Sequence, residues 1–204
     1  MSYVGFVLDD VQATFAEELP GYQPTRLTLF RGAIGSACGS ASAAVGPFYC
    51  PLDRKVYIDL SFYDTLQERY GAPGDFAQAY VIAHEVGHHI QNLTGTLGQM
   101  RQSQQANPSQ ANALSVALEL QADCYAGVWA ASADASGIME RGDLQEGLGA
   151  AAAVGDDRLS SQAGRSVNQE TFTHGTSAQR MQWFETGFRT GDPNACDTFR
   201  ASGF

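Results

Sequence analysis

The sequence predicts an α+β fold that is mainly helical, with a small β-sheet or hairpin beside one central helix. Apolar residues recur at helical spacing through most of the chain, whereas short segments typical of strands occur only before residue 60. A length of 204 residues, of which 44% are hydrophobic, is sufficient to bury a core. We therefore expect one domain over residues 1–204, either undivided or arranged as two lobes.

The first part of the chain is predicted to contain one helix and three strands. Apolar residues at helical spacing extend from Val4 to Leu19, and Pro20-Gly21 ends this helix. The strands are, in order, Arg26–Phe30, Phe48–Cys50 and Lys55–Asp59. Residues 32–47 are predicted to be a loop because Gly, Ala and Ser predominate, and residues 51–54 form a turn between two strands.

The remainder of the chain is predicted to be helical. Asp75 caps a helix that begins at Phe76 and ends near Leu93, before Thr94-Gly95. The polar residues 99–109 form an exposed loop or a surface helix. The other helices are predicted at Leu60–Tyr70, Gln110–Ala131, 140–154 and 177–190.

The charge balance excludes several classes of partner. The net charge is −10, and the 12 Lys and Arg residues are scattered rather than grouped in a basic stripe. A nucleic-acid or anionic-membrane partner would require the opposite sign. The acidic balance indicates instead that a cationic or neutral substrate is accepted more easily than an acidic one.

No segment is long and apolar enough to cross a membrane, and the residues after Met1 do not resemble a signal peptide. The expectation is either a cytosolic protein or a fragment from which a targeting segment was removed. The four cysteines, Cys38, Cys50, Cys124 and Cys196, contain no Cys-x-x-Cys pair. Their even number favours two disulfides over a zinc cluster, and four buried free thiols remain the alternative.

The predicted central helix carries the motif His84-Glu85-Val86-Gly87-His88. Histidines four residues apart lie on one helix face, where both imidazoles can bind one zinc ion. Glu85 is rotated about 100° from His84, so it reaches a water on the metal rather than the metal itself. His89 follows His88 directly and points about 100° away from it, so it is interpreted as a supporting or surface residue.

The apolar surroundings of the motif favour a metal site over a coincidence. Polar side chains on a helix that is apolar nearly all round would be costly to bury without partners, and a metal ion supplies one. A glycine inside a helix, such as Gly87, is about 1 kcal/mol less favourable than Ala. Its presence therefore indicates that another part of the protein packs closely against the helix at that point. The alternative for this glycine, an ordinary helix–helix contact, is compatible with the same site.

A third ligand is predicted on a second helix, where Glu119 and Asp123 share one face. Glu119 completes a catalytic zinc site with one open position, and Asp123 accepts a hydrogen bond from a ligating histidine. A solvated acidic face is the alternative reading. A metzincin site would need Gly and His where Gln91 and Thr94 stand, so that class is excluded.

His174 is the remaining candidate catalytic residue. It lies in the segment Thr173-His174-Gly175-Thr176, from which it could reach over the metal and stabilise an oxyanion. The alternative is a loop residue beside a helix cap at Thr176 or Ser177.

The chain resembles the bacterial "putative neutral zinc metallopeptidase" family over nearly its whole length. The segments that carry the resemblance are Ser36–Gly39, Ala43–Pro51, Val56–Phe62, Gly71–Tyr80, His84–His88, Glu119–Cys124, Phe172–Thr176 and Cys196–Phe199. The resemblance implies a zincin-like fold and a gluzincin site with one catalytic Zn²⁺ on His84, His88 and Glu119. It also implies a peptide or protein substrate and a zinc-bound water activated by Glu85.

The same resemblance implies disulfides Cys38–Cys50 and Cys124–Cys196, and therefore an extracytoplasmic location. Members of the family often carry an N-terminal membrane anchor ahead of the catalytic domain. Two other functions stay open at this point: a zinc amidase similar to peptide deformylase, and a non-catalytic module in which zinc only holds the helices together.

Overall fold

The computed structural model describes residues 2–42 and 45–204. The strands are β1 (Arg26–Phe30), β2 (Ala33–Ser36), β3 (Gly39–Ser42), β4 (Phe48–Cys50) and β5 (Lys55–Asp59). The helices are α1 (Tyr3–Glu18), α2 (Leu60–Glu68), α3 (Asp75–Leu93), α4 (Thr96–Ala106), α5 (Ala111–Ala135), α6 (Asp143–Ala153), α7 (Asp156–Gln162), α8 (Ser177–Thr190) and α9 (Thr198–Ala201). Ala43 and Ala44, which begin one of the segments shared with the family, lie outside the described residues.

The predicted α+β fold, mainly helical with a small sheet, is confirmed. A three-stranded sheet has the order β1-β5-β4, in which β1 is parallel and β4 antiparallel to β5. The three predicted strands have the predicted bounds. Helix α3 packs against this sheet and against α1, α5 and α6, so the central helix lies in the middle of the core.

The prediction that residues 32–47 form a loop is wrong for part of that segment. β2 and β3 form a separate antiparallel hairpin, with Ile34 opposite Ala41. Its small residues have low strand propensity, so tertiary constraints stabilise the hairpin. The turn between the strands is tied to β4 by the disulfide Cys38–Cys50.

The start of α3 also differs from the prediction. Gly74 is at the N-cap with φ 113°, and Asp75 is already the first helical residue, so Asp75 does not cap the helix. The carboxylate of Glu146, on α6, accepts a hydrogen bond from the backbone N–H of Phe76 at 3.2 Å. A side chain from another helix thus accepts a hydrogen bond from an N–H group at the start of α3, a role that the sequence predicts for Asp75.

The helices after α3 follow the prediction with changes in length. The polar stretch after Leu93 is a surface helix, α4, and α5 extends four residues beyond the predicted end at Ala131. The bounds predicted for α8 are confirmed, whereas α7 and α9 were not predicted. None of the described helices is long and apolar enough to cross a membrane.

Helices α5 and α8 cross in unusually close contact because each contributes a glycine. A Cβ atom added to Gly127 would lie 2.0 Å from the carbonyl oxygen of Phe184, and one added to Gly187 would lie 1.9 Å from that of Cys124. Any larger residue would push the two backbones apart. The disulfide Cys124–Cys196 and a hydrogen bond from Gln121 to the carbonyl of Cys196 hold the C-terminal segment against the same part of α5.

The glycine crossing predicts an unequal response to two Gly→Ala substitutions. Gly127→Ala should lower the free energy of unfolding by at least about 1–3 kcal/mol, because its methyl group has no room between α5 and α8. At Gly149, on α6, an added Cβ would meet no described atom within 4 Å apart from its own helix backbone and chain neighbours, so Gly149→Ala should be neutral or stabilising by up to about 1 kcal/mol. Urea denaturation of both variants provides the comparison, and equal stabilities would contradict the close crossing.

Candidate metal centre

Three of the predicted site residues come together at the contact between α3 and α5. Nitrogen atoms of His84 and His88 and a carboxylate oxygen of Glu119 all lie within 4.8 Å of one another. Nε2 of His84 is 3.2 Å from Oε2 of Glu119, and Nε2 of His88 is 3.4 Å from Oε1. Two ligands at zinc distances of about 2.0–2.1 Å in a tetrahedron are about 3.3 Å apart, so this donor set fits zinc.

Gly87 explains how the two helices approach closely enough to bring these groups together. A Cβ atom at Gly87 would be 2.9 Å from Cα of Ala122 on α5. The expectation of a close neighbour beside the motif is therefore correct, and that neighbour is the backbone of the helix that carries Glu119.

Asp123 holds His84 in one orientation. Its Oδ1 is 2.9 Å from Nδ1 of His84, which leaves Nε2 directed toward Glu119. The side chain of Asp123 is fully buried. Burial acts to raise the pKa of Asp123, but Arg180 and His84 more than offset this and lower the pKa, so the carboxylate stays ionised.

Arg180, on α8, is the most important site residue that sequence reasoning missed. Its Nε and Nη2 donate to the two oxygens of Asp123 at 2.8 and 2.9 Å, and its guanidinium also contacts the hydroxyl of Tyr80. Tyr80 in turn donates to Asp123. A signal was present: Arg180 shares the buried face of α8 with Phe184 and Gly187, and a buried arginine requires a carboxylate partner.

His88 is oriented by a chain of amide groups. Its Nδ1 lies 2.9 Å from Oε1 of Gln91, and Nε2 of Gln91 donates to Oε1 of Gln121 and to the carbonyl of Leu118. Gln121 then donates to the carbonyl of Cys196. Sequence reasoning used Gln91 only to exclude the metzincin class and missed this contact.

The charges of the cluster favour a cation. Burial acts to lower the pKa of His84, but hydrogen bonds and charge from Asp123 and Glu119 raise it to about 10. Burial acts to raise the pKa of Glu119, yet His88 and His84 hold it well below its usual range. Before a metal binds, the site therefore retains protons on its histidines, and a divalent cation can replace them.

Glu85 lies beside this cluster without a hydrogen-bond partner. It is buried, and within the described part of the chain its Oε2 has no donor. Burial raises the pKa of Glu85, and the nearby histidines only partly offset that effect. An unpartnered carboxylate oxygen next to three ligand atoms is suited to accept a proton from a bound molecule.

His174 is held by Asp156, the first residue of α7. Its Nδ1 lies 3.1 Å from Oδ1 of Asp156, while Oδ2 accepts the backbone N–H groups of Thr173, His174 and Gly175. The hydrogen bond to Asp156 raises the pKa of His174, and partial burial opposes it. His174 lies in the loop before α8, which Thr176 caps as the alternative interpretation expected, and it also lines the same cleft as the metal cluster.

His89 is neither a surface residue nor hydrogen-bonded to one of the candidate metal ligands. It is 1% exposed, with Nδ1 2.9 Å from the hydroxyl of Tyr49 and Nε2 2.6 Å from the carbonyl of Gln23. These contacts join α3 to the sheet and to the segment before β1. His89 is therefore a core residue.

The cluster opens into a cleft of about 820 Å³. Its walls come from β4 and the segment before it, α2, α4, α5, and the loops around α7. β4 forms one edge of the described three-stranded sheet, and its residues Phe48 and Tyr49 face the cleft. A cleft of this size accommodates a ligand much larger than a single amino acid.

Comparison with known proteins agrees with this geometry. The family model described as "Putative neutral zinc metallopeptidase" matches residues 4–199. The chain is 54% identical to an uncharacterized protein of Escherichia coli (strain K12) over 182 residues, which are 89% of this chain and 63% of that protein. It is 47% identical to an uncharacterized protein of Mycobacterium bovis over 205 residues, which cover 95% of this chain and 69% of the relative.

The chain thus spans less than two thirds of the length of the Escherichia coli relatives. No solved structure matches the chain. The family match covers nearly the whole chain, and the residues of the metal cluster lie within it. The chain therefore belongs to the family described as "Putative neutral zinc metallopeptidase".

Proposed function

We propose that the chain is a zinc-dependent peptidase of the gluzincin type, with one Zn²⁺ on His84, His88 and Glu119 and with Glu85 as the base. The observation that carries this proposal is the convergence of two Nε2 atoms and one carboxylate beside a buried, unpartnered glutamate. Three protein ligands leave one coordination position open, which is typical of catalytic rather than structural zinc. The family description supports both the metal and the reaction class.

The metal and Glu85 have separate tasks. Zinc, when bound, lowers the pKa of a water molecule and polarises the carbonyl group of the scissile bond. Glu85 accepts the proton of the attacking water on its free oxygen and then donates it to the leaving amine. The raised pKa of Glu85 makes its carboxylate a stronger base, which favours uptake of the proton in the first transfer.

His174 lines the same cleft and would supply a positive hydrogen-bond donor to a bound substrate. The hydrogen bond between Nδ1 and Asp156 raises the pKa of His174 and so favours its protonated form. A protonated imidazole stabilises the negative charge that develops on the carbonyl oxygen of the substrate. This assignment supports hydrolysis of an amide without giving His174 any role in metal binding.

The shape of the cleft favours a peptide over a small amide. An extended substrate can align its backbone with the free edge of β4, where Phe48 and Tyr49 line the cleft. A small-amide substrate would not require a cleft that extends from β4 to α7. A purely structural zinc site would not require an unpartnered glutamate beside the ligands.

We further propose that residues 1–204 act as one catalytic domain in an oxidising, extracytoplasmic compartment. The two disulfides, Cys38–Cys50 and Cys124–Cys196, support this location and match the pairing that the resemblance implied. The second bridge lies directly next to Asp123 on α5. Reduction would therefore loosen the part of the helix that supports the metal ligands.

The base is tested by Glu85→Gln. The substitution keeps the shape of the side chain but removes its ability to accept a proton, so kcat should fall by about a hundred- to ten-thousandfold. Zinc content, measured by atomic absorption, should stay near one ion per chain because Glu85 is not a ligand. Unchanged turnover of a casein or peptide substrate would refute the mechanism, and loss of zinc would refute the ligand assignment.

The support of His88 is tested by Gln91→Leu. Without the acceptor at Nδ1, zinc affinity measured by competition with a chelator should fall by about ten- to a hundredfold. The control is Asn92→Leu, which removes a hydrogen bond to Tyr49 but touches no ligand. Equal zinc affinities in the two variants would contradict the orienting role of Gln91.

The role of His174 predicts a change in pH dependence. Asp156 raises the pKa of His174, so Asp156→Asn should lower it, and the imidazole should lose its proton at lower pH. The fall of kcat/KM on the alkaline side should then begin at lower pH, while the acidic side stays unchanged. The variant His174→Phe has no group that titrates at this position, so the alkaline fall of kcat/KM that is due to His174 should be absent. If this variant shows the same alkaline fall as the unmodified protein, His174 is excluded as its source.

A further inference from the structure

The charge of the cleft differs from the charge of the whole chain. The chain has 22 acidic and 12 basic residues, and this balance led to the expectation of a cationic or neutral substrate. Among the described residues that line the cleft, however, Glu85 and Glu119 are the only acidic ones, and both belong to the proposed catalytic cluster. Apart from the histidines of the proposed catalytic site, the remaining charged side chains of the lining are Arg69, Arg101 and Arg180.

Two of these arginines are free to interact with a ligand. Arg180 is neutralised by its paired contact with Asp123. Arg69 and Arg101 are exposed, and neither forms an ion pair or a side-chain hydrogen bond with another described residue. The cleft therefore presents two unpaired guanidinium groups, while the excess of negative charge lies elsewhere on the protein.

The two cations belong to helices that join α3 at opposite ends. Arg69 follows the last residue of α2, which leads into the start of α3, and Arg101 lies on α4, which follows the end of α3. With 19 residues and a rise of 1.5 Å per residue, α3 is about 28 Å long. His84 lies at the middle of α3 and His88 one turn later, so Arg69 and Arg101 come from segments that precede and follow the proposed catalytic groups in the chain, and both line the same cleft.

Each cation stands beside apolar side chains of the same lining. Tyr70 follows Arg69 and lies 6.5 Å from Phe62 between ring centroids. Leu97 precedes Arg101 by four residues and therefore shares its face of α4. Such a pair of groups suits the methylene stem and the carboxylate of a Glu or Asp side chain.

We propose that the cleft selects peptides with acidic side chains on both sides of the cleaved bond, and that Arg69 and Arg101 recognise those side chains. The proposal rests on the peptidase function described above and specifies its substrate class. Guanidinium groups bind carboxylates through charge-assisted hydrogen bonds, often with two contacts at once. In a cleft with low-dielectric walls, even exposed cations attract acidic ligands from solution.

The proposal is tested with fluorogenic peptides cleaved by the zinc-loaded protein. In one cleaved sequence, Gln, Glu or Lys is placed in turn at each of the four positions on either side of the cleaved bond. At one position or more on each side, Glu should raise kcat/KM over the isosteric Gln by about two- to fivefold, and Lys should lower it. The preference should weaken from 0.05 M to 0.5 M NaCl, because salt screens exposed charges.

Charge-reversal variants connect the preference to the two residues. Arg69→Glu should abolish or invert the preference on one side of the cleaved bond, and Arg101→Glu should do so on the other. Arg189→Glu, on α8, changes the net charge equally at an exposed position outside the cleft lining and should preserve both preferences. Hydrolysis with no Glu preference, or an equal loss of preference in all three variants, would overturn the proposal.

Binding measurements separate this proposal from the proposed activity. Fluorescence anisotropy with labelled Glu-rich, Gln-rich and Lys-rich decapeptides is measured on the zinc-loaded Glu85→Gln variant, which does not need to turn over. If the unmodified protein hydrolyses no peptide, the peptidase function fails. Tighter binding of the Glu-rich peptide that is lost in the Arg69→Glu and Arg101→Glu backgrounds would still support the recognition role, and equal binding of all three peptides would refute it.

Discussion

The structure depends on one buried ion pair, between Asp123 on α5 and Arg180 on α8. Asp123 is 0% exposed and Arg180 2%, and they share two hydrogen bonds of 2.8 and 2.9 Å. Removing one member of such a pair leaves an unpaired buried charge and costs about 3–5 kcal/mol. The pair therefore fixes the relative position of two helices, and through the contact of Asp123 with His84 it also fixes α3.

The close contacts between the helices allow this ion pair to form. Gly127 and Gly187 bring the backbones of α5 and α8 together, and Gly87 does the same for α3 and α5. With larger residues at these positions, Arg180 would not reach Asp123, and Glu119 would not reach the two histidines. His88 is held independently, by the amides of Gln91 and Gln121 and by the segment that the Cys124–Cys196 disulfide retains. The two histidines therefore have separate supports that meet at α5.

The sequence was sufficient to predict what depends on local spacing. The central helix, the grouping of His84 and His88, and the strands of the larger sheet follow from periodicity and from residue type. Arg180 and the carboxylate of Glu146 that caps α3 do not follow from local spacing, because each acts on a residue of another element far away in the chain. Gln91 lies three residues after His88 on α3, but its role depends on its buried contacts with α5, which the sequence pattern does not show. The hairpin of β2 and β3 was missed for a related reason, since its residues have weak strand propensity and a disulfide holds its turn.

The residues that orient the two histidines are hydrogen-bonded, whereas the free oxygen of the neighbouring Glu85 is not bonded to any described residue. Asp123, Arg180, His84, Gln91 and Gln121 all have partners for their buried polar atoms, yet Oε2 of Glu85 has none among the described residues. A buried unsatisfied acceptor costs about 1–3 kcal/mol, so its presence at this position calls for a reason. Among the four buried side-chain atoms without a partner in the described residues, this oxygen is the one that lies beside the candidate metal ligands, where it is available to a group outside the chain. This free oxygen, together with the histidine spacing, is what supports the proposal of a reactive centre over a metal site that only joins helices.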